Sequence, residues 1–194
     1  SLWERTNPAD SKNLIELGTR SLLVEDGKKL ILIDCGLGNK QDEKFFGHYS
    51  LYGDESLDKN LKKFGFVRED ITDVFLTHLH FDHCGGAIEW NDDKTGYRPA
   101  FKNAQFWTNE NHWQWATEPN PREKASFLKE NILPMQESGQ LQFLPTPKTG
   151  NYGFAPDLKM DVIFVDGHTE KQMLPVIQYQ EKTMHRHQTR IKKN

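Results

Sequence analysis

The feature that most limits the fold is the passage from Ile71 to His83. There an apolar run, Ile71 to Thr77, leads without a spacer into His78-Leu79-His80-Phe81-Asp82-His83. Val74, Phe75 and Leu76 form its unbroken centre, the pattern of a strand covered on both faces. Residues two apart in an extended segment point the same way, so His78 and His80 can grip one ion together. Asp82 and His83 fall just beyond, where the chain should turn, and can face a second ion nearby. A lone histidine is ordinarily a surface or satisfied core residue. Three of them with an aspartate, packed directly behind an apolar strand, point to metal.

Two other buried runs end in chemistry-bearing residues. Asp161 to Val165 ends in Asp166-Gly167-His168, so folding can bring His168 in as a third imidazole on the first ion. Leu30 to Ile33 ends in Asp34-Cys35-Gly36, which sets an acid at a strand's C-terminal end. Imidazole and carboxylate are the ordinary ligands of catalytic zinc. Iron, manganese and cobalt accept the same set.

The remaining pattern reads as a layered α+β domain. Ser21–Val24 and Leu30–Ile33 flank Glu25-Asp26-Gly27-Lys28, a hairpin turn signal. Ser56 caps a short helix carrying Leu57, Leu61 and Phe64, with Gly65 as its stop. Asn120-Pro121-Arg122-Glu123 opens a helix expected to reach about Leu133, before Pro134. Leu141–Leu144 is a strand, Pro145 to Pro156 a loop, and Leu174–Tyr179 a strand that Pro175 restricts to an edge or a strand start. The order lacks a regular βαβ alternation, which argues against a doubly wound sheet. Residues 1–183 form one domain, and the basic stretch 184–194 is a tail expected to be mobile.

Charge and cysteine usage narrow the setting. Twenty-five Lys and Arg against 28 Asp and Glu give a net charge of −3, which offers no case for nucleic acid or a membrane surface as partner. Cys35 and Cys84 read as unpaired thiols of a reducing compartment, hence a cytoplasmic expectation. No stretch is long and apolar enough to cross a bilayer. A start at Ser1 rather than Met leaves a periplasmic or secreted location open.

His78-Leu79-His80-Phe81-Asp82-His83 resembles the HxHxDH signature of the metallo-β-lactamase fold superfamily. Leu32-Ile33-Asp34-Cys35-Gly36 is similar to the family's LIDxG strand end, and Asp166-Gly167-His168-Thr169 to its GHT segment. Within the superfamily the chain most resembles the lactonase and organophosphate or aryl-ester hydrolase branch. Asn103-Ala104-Gln105-Phe106-Trp107 and the helix near Asn120 sit where that branch has them. The resemblance implies an αββα sandwich and a dinuclear zinc centre. His78, His80 and His168 would hold the first metal, and Asp82 and His83 would belong to the second. Asp34 would support the ligand loops from behind. A water bridging the metals would become a hydroxide nucleophile on an ester, lactone or phosphotriester. Asp82 would orient that water or shuttle a proton. The substrate would be a small molecule.

The family pattern continues with a bridging carboxylate, about one strand after the GHT segment, and a final histidine on the second metal. This chain offers Glu170 and Glu181 and then no acid, with His185 and His187 in the basic tail. The expectation is an incomplete sandwich: the N-terminal half, the start of the second, and an apolar sheet face covered by self-association. A metal-binding but catalytically weak remnant is the alternative to an active hydrolase. Trp107, Trp113 and Trp115, which flank His112, line either a substrate mouth or the core. His48 reads as a surface residue, and Cys84 as a small residue that permits close packing. Gly85-Gly86 are expected to let the backbone turn tightly beneath the site.

Overall fold

The computed structural model describes residues 5–25, 28–147, 152–155, 160–179 and 182–185. Two sheets face each other. The first has the order β1 (Leu22–Glu25), β2 (Leu30–Ile33), β3 (Asp73–Phe75), β6 (Gln105–Asn109), β7 (Leu141–Leu144). β1 runs antiparallel to β2, and the other neighbours are parallel. The second sheet is antiparallel throughout, in the order β11 (Lys182–His185), β10 (Gln172–Tyr179), β9 (Met160–Val165), β8 (Tyr152–Ala155). A hairpin of β4 (Ile88–Trp90) and β5 (Tyr97–Pro99) stands apart.

Period-two alternation sorts the core into two layers. Leu30, Leu32, Val74, Leu76 and Phe106 face the helices, where they meet Leu61, Trp113, Ala116, Ile132 and Met135. These come from α2 (Leu57–Lys63), α4 (Glu110–Thr117) and α5 (Lys129–Glu137). Ile31, Ile33 and Phe75 face the other way and pack on Met160, Val162, Met173 and Ile177 of the second sheet. The unbroken apolar runs of β2 and β3 follow from this double burial. The layers are thus helix, sheet, sheet, three of the four layers of an αββα sandwich. Among the described residues no helix follows β7.

Ser56 caps α2 as expected: its side chain accepts from the Lys59 N–H, and Gly65 follows the helix at φ +82°. The β1–β2 pairing is also as expected, although Asp26 and Gly27 of the turn lie outside the described residues.

Four expectations need correcting. Asn120 caps only a turn, its Oδ1 accepting from the Arg122 and Glu123 N–H groups. The chain resets at Leu128, which is extended, because Phe127 is drawn into the core. α5 starts at Lys129 and runs through Pro134. An interior proline costs about 3 kcal/mol. Full burial of Ile132 and Met135, at about 1.5–3 kcal/mol each, outweighs it. The supposed loop from Pro145 to Pro156 contains β8, which pairs with β9. Pro175 lies inside β10 rather than at its start. The Met173 N–H turns away from β9 to the Thr77 carbonyl. By period two the Pro175 nitrogen faces the same side, past the last registered pair of β10 and β11, so no bond to β9 is lost. Finally, Met184 and His185, assigned to the tail, pair with Ile177 and Val176 in β11. Residues 186–194 lie outside the described set.

Candidate metal centre

The parallel strands β2 and β3 end side by side, and their ends build the site. The Asp34 N–H donates to the Phe75 carbonyl at 2.9 Å, which places Asp34 beside the start of the histidine run. Asp34 takes a left-handed backbone, φ +56°, and is buried. Its carboxylate accepts from the Thr77 N–H at 2.8 Å, the Thr77 hydroxyl at 3.0 Å and His83 Nδ1 at 2.9 Å. One acid thus ties the Thr77 and His83 ends of the motif together. The short helix α3 (Phe81–Cys84), with His80 at its N-cap position, makes the turn that brings His83 back.

These bonds set the tautomers. The Thr77 hydroxyl spends its proton on Asp34, so at 3.1 Å it accepts from His78 Nδ1–H. His83 gives its Nδ1–H to Asp34. In both rings Nε2 is left as a lone-pair donor. His78 Nε2 and His80 Nε2 are buried with no hydrogen-bond partner. A buried unsatisfied polar atom costs about 1–3 kcal/mol, and such atoms call for an explanation. Burial first, then the neighbouring imidazoles, holds the His78 pKa well below its ordinary value. Burial, with the charge of His168 behind it, lowers His80 to about 4. Both rings are therefore neutral at neutral pH, the state a metal ligand needs.

His168 sits on the loop between β9 and β10, which Asp166 closes by accepting from the Lys171 N–H and Nζ. Its ring centroid lies 5.0 Å from that of His78 and 4.9 Å from that of His80. One ligand atom from each of His78, His80 and His168 falls within 4.8 Å of the others. Among the described residues no other cluster of three or more His, Cys, Asp or Glu does so. The donor set and the two orphaned nitrogens fit a zinc-class ion.

Asp82 and His83 lie together on the open side, Asp82 Oδ2 at 3.5 Å from His83 Nε2. The structure brings no third donor to that pair among the described residues. Glu170 offers its main-chain carbonyl to His112 Nδ1, and its carboxylate lies 3.9 Å from Lys171 Nζ. Glu181 and His187 lie outside the described residues.

Several residues took roles that local pattern does not reveal. Glu123 is a half-buried acid whose Oε2 accepts from the Thr169 hydroxyl at 2.8 Å and Trp115 Nε1 at 3.1 Å, and it lies 3.8 Å from His80 Nε2. Burial pushes its carboxyl up, but bonds from Trp115, Thr169 and Asn120 outweigh that and hold it below its ordinary range. In the sequence it reads only as a capping residue. Of the tryptophans, Trp113 packs into the core, Trp107 bonds Asp73 between the sheets, and Trp115 serves Glu123. His48 is exposed. Cys84 is buried, its thiol donating to the Leu79 carbonyl and pushed up to about 12 by burial. Gly85 and Gly86 matter for close approach rather than for turning. A Cβ on Gly85 would stand 2.0 Å from the Leu37 carbonyl oxygen, and one on Gly86 2.2 Å from that of Cys35. Beside Asp82, Phe81 packs on Phe45 and Tyr49 with centroids 5.2 and 5.0 Å apart, an aromatic rim that local pattern also missed.

The two-sheet fold with imidazoles gathered at the strand ends is similar to the metallo-β-lactamase fold. Residues 14–95 match the family described as the Metallo-beta-lactamase superfamily. A probable metal-dependent hydrolase from Staphylococcus aureus shares the fold with a TM-score of 0.82 at 23% identity, over 95% of this chain and 62% of that one. AidC, a dizinc quorum-quenching lactonase, superposes at 0.60 and 24% identity, over 85% of this chain and 54% of its own. The hydrolase AbOPH of the β-lactamase superfamily gives 0.57 and 24%, over 84% and 53%. The chain therefore spans between about half and three-fifths of these structures. In sequence it is 33% identical over 70 residues to the transcription termination factor FttA of Methanocaldococcus jannaschii, which is 36% of this chain and 9% of that protein. No helix among the described residues is long and apolar enough to cross a membrane.

Proposed function

We propose that the chain is a zinc-dependent hydrolase of small-molecule esters, lactones or phosphotriesters. The observation that carries this is the pair of buried, unpartnered Nε2 atoms of His78 and His80, set beside His168. The lactonase AidC and the hydrolase AbOPH, both similar in fold, favour hydrolysis, and AidC favours the lactone class. Zinc in such a site supplies Lewis acidity and activates water at neutral pH. Asp34 holds the Thr77 and His83 ends of the motif in register. Asp82, about one-third exposed beside His83, is placed to take or return a proton at the mouth. The rim of Phe45, Tyr49 and Phe81 offers an apolar seat for an acyl or aryl group.

The second reading is a metal-binding chain with weak or no activity. It is favoured by the Asp82–His83 pair, which lacks a third donor among the described residues. Metal content of protein purified without added metal, followed by aryl-ester and lactone hydrolysis with and without chelator, separates the two. About two zincs per chain and chelator-sensitive turnover support the dinuclear enzyme. About one zinc without turnover supports the second reading. No zinc, in wild type and His78→Ala alike, defeats both.

A further inference from the structure

The ligands of the candidate centre come from two sheets held face to face by apolar packing, which is not directional. Something directional must fix the gap between the His78–His80 segment and the His168 loop. Among the described residues a direct bond does so at the edge, Met173 N–H to the Thr77 carbonyl at 2.8 Å. Others among the described residues come from the end of β6 and the segment that follows it. Asn109 donates from Nδ2 to the Lys171 carbonyl at 2.9 Å. His112, only 1% exposed, reaches both sides at once. Its Nε2 accepts from the Leu79 N–H at 2.9 Å, between the two motif histidines, and its Nδ1–H donates to the Glu170 carbonyl. Glu123 does the same a few ångströms away: it holds the Thr169 hydroxyl, next to His168, and faces His80 Nε2.

We propose that His112 and Glu123 are positioning residues, a brace that sets the spacing of the two ligand-bearing segments, with Glu123 adding negative charge beside the imidazole cluster. Neither residue is in the motif. Glu123 lies outside the set of mutually close donor atoms, so it acts through His80 and Thr169 rather than as a ligand. The brace rests on the metal-site reading given above and extends it to residues about thirty and forty positions further along the chain. Partners that orient ligands typically govern metal affinity by about 10–100-fold.

The test uses the whole chain as wild type, Glu123→Gln and His112→Gln. Zinc affinity is read by competition with a chromophoric chelator, and the visible spectrum of the cobalt-loaded protein reports ligand geometry. Glu123→Gln should weaken zinc by about 10–100-fold and shift the cobalt bands, while the melting temperature of the metal-free protein stays put. Wild-type affinity and spectrum in that variant would overturn the charge part of the brace. A purely structural role would lower melting and leave the cobalt bands unmoved, which also overturns it. In metal-free protein, His112→Gln should speed amide exchange at Leu79 by about tenfold or more, and unchanged exchange would overturn the spacing part. Wild type that takes up no zinc defeats the proposed function, and the exchange measurement still decides the brace.

Discussion

β2 reads Leu-Ile-Leu-Ile and is buried at every position, whereas β9 reads Met-Asp-Val-Ile-Phe-Val and leaves Asp161 exposed. The first strand lies between helices and a second sheet, so both its faces are fixed. The second strand turns Met160 and Val162 inward and has no helix among the described residues on its other side. The difference carries through to the site. The first sheet delivers Asp34, His78 and His80 from adjacent strand ends joined by short main-chain and carboxylate bonds. The second delivers His168 on an exposed loop. A ligand set split in this way has one rigid half and one half whose position must be imposed from outside.

The largest effect that sharpens this contrast is in the first sheet. Phe75→Ala should cost about 3–5 kcal/mol in denaturant unfolding, because the ring is fully buried and meets Phe154 across the gap at 5.3 Å. A loss under about 1 kcal/mol would mean that the two sheets are equally yielding. The next effect is a pH response at the brace. Burial holds His112 at about 4, from an ordinary 6.5. Above pH 6.5 the ring is neutral in both states and its share of stability is intact. As pH falls from 6.5 to 4 the unfolded chain takes up a proton that the folded chain refuses. Stability then drops, by on the order of 3 kcal/mol for the metal-free protein. His112→Gln should flatten part of that drop between pH 7 and pH 4.5, and an identical drop would assign it to other groups. The smallest effect is at the exposed position of β9. Asp161→Ala should change stability by no more than about 0.5 kcal/mol, and a clearly larger change would mean that this face is covered.

The same contrast explains what could be read in advance. β2, β3 and the motif that follows were legible because double burial writes an unbroken apolar run and the ligands sit at its end. Asp34 was legible for the same reason, as the first polar residue past such a run. β8 was hidden in a stretch that reads as loop, since Tyr152 and Phe154 gain their meaning only by pairing with β9. The helix placed at Asn120 failed because tertiary burial of Phe127, Ile132 and Met135 overrode a good local cap and an unfavourable proline. Glu123 and His112 could not be found by pattern at all. Their partners, Thr169 and Leu79, lie 46 and 33 positions away.

The close contact of Gly85 and Gly86 with the Leu37 and Cys35 carbonyls has a consequence for how such a protein can vary. The wall behind the ligands is main chain pressed on main chain, and it offers no volume for any side chain to explore. In the proposed hydrolase, new specificity would have to come from the front, where Tyr49 is nearly half exposed and Phe45 and Phe81 lean on it. The architecture separates an inheritance that is closed to tinkering from a doorway that is open to it, so a change of diet does not demand a change of grip.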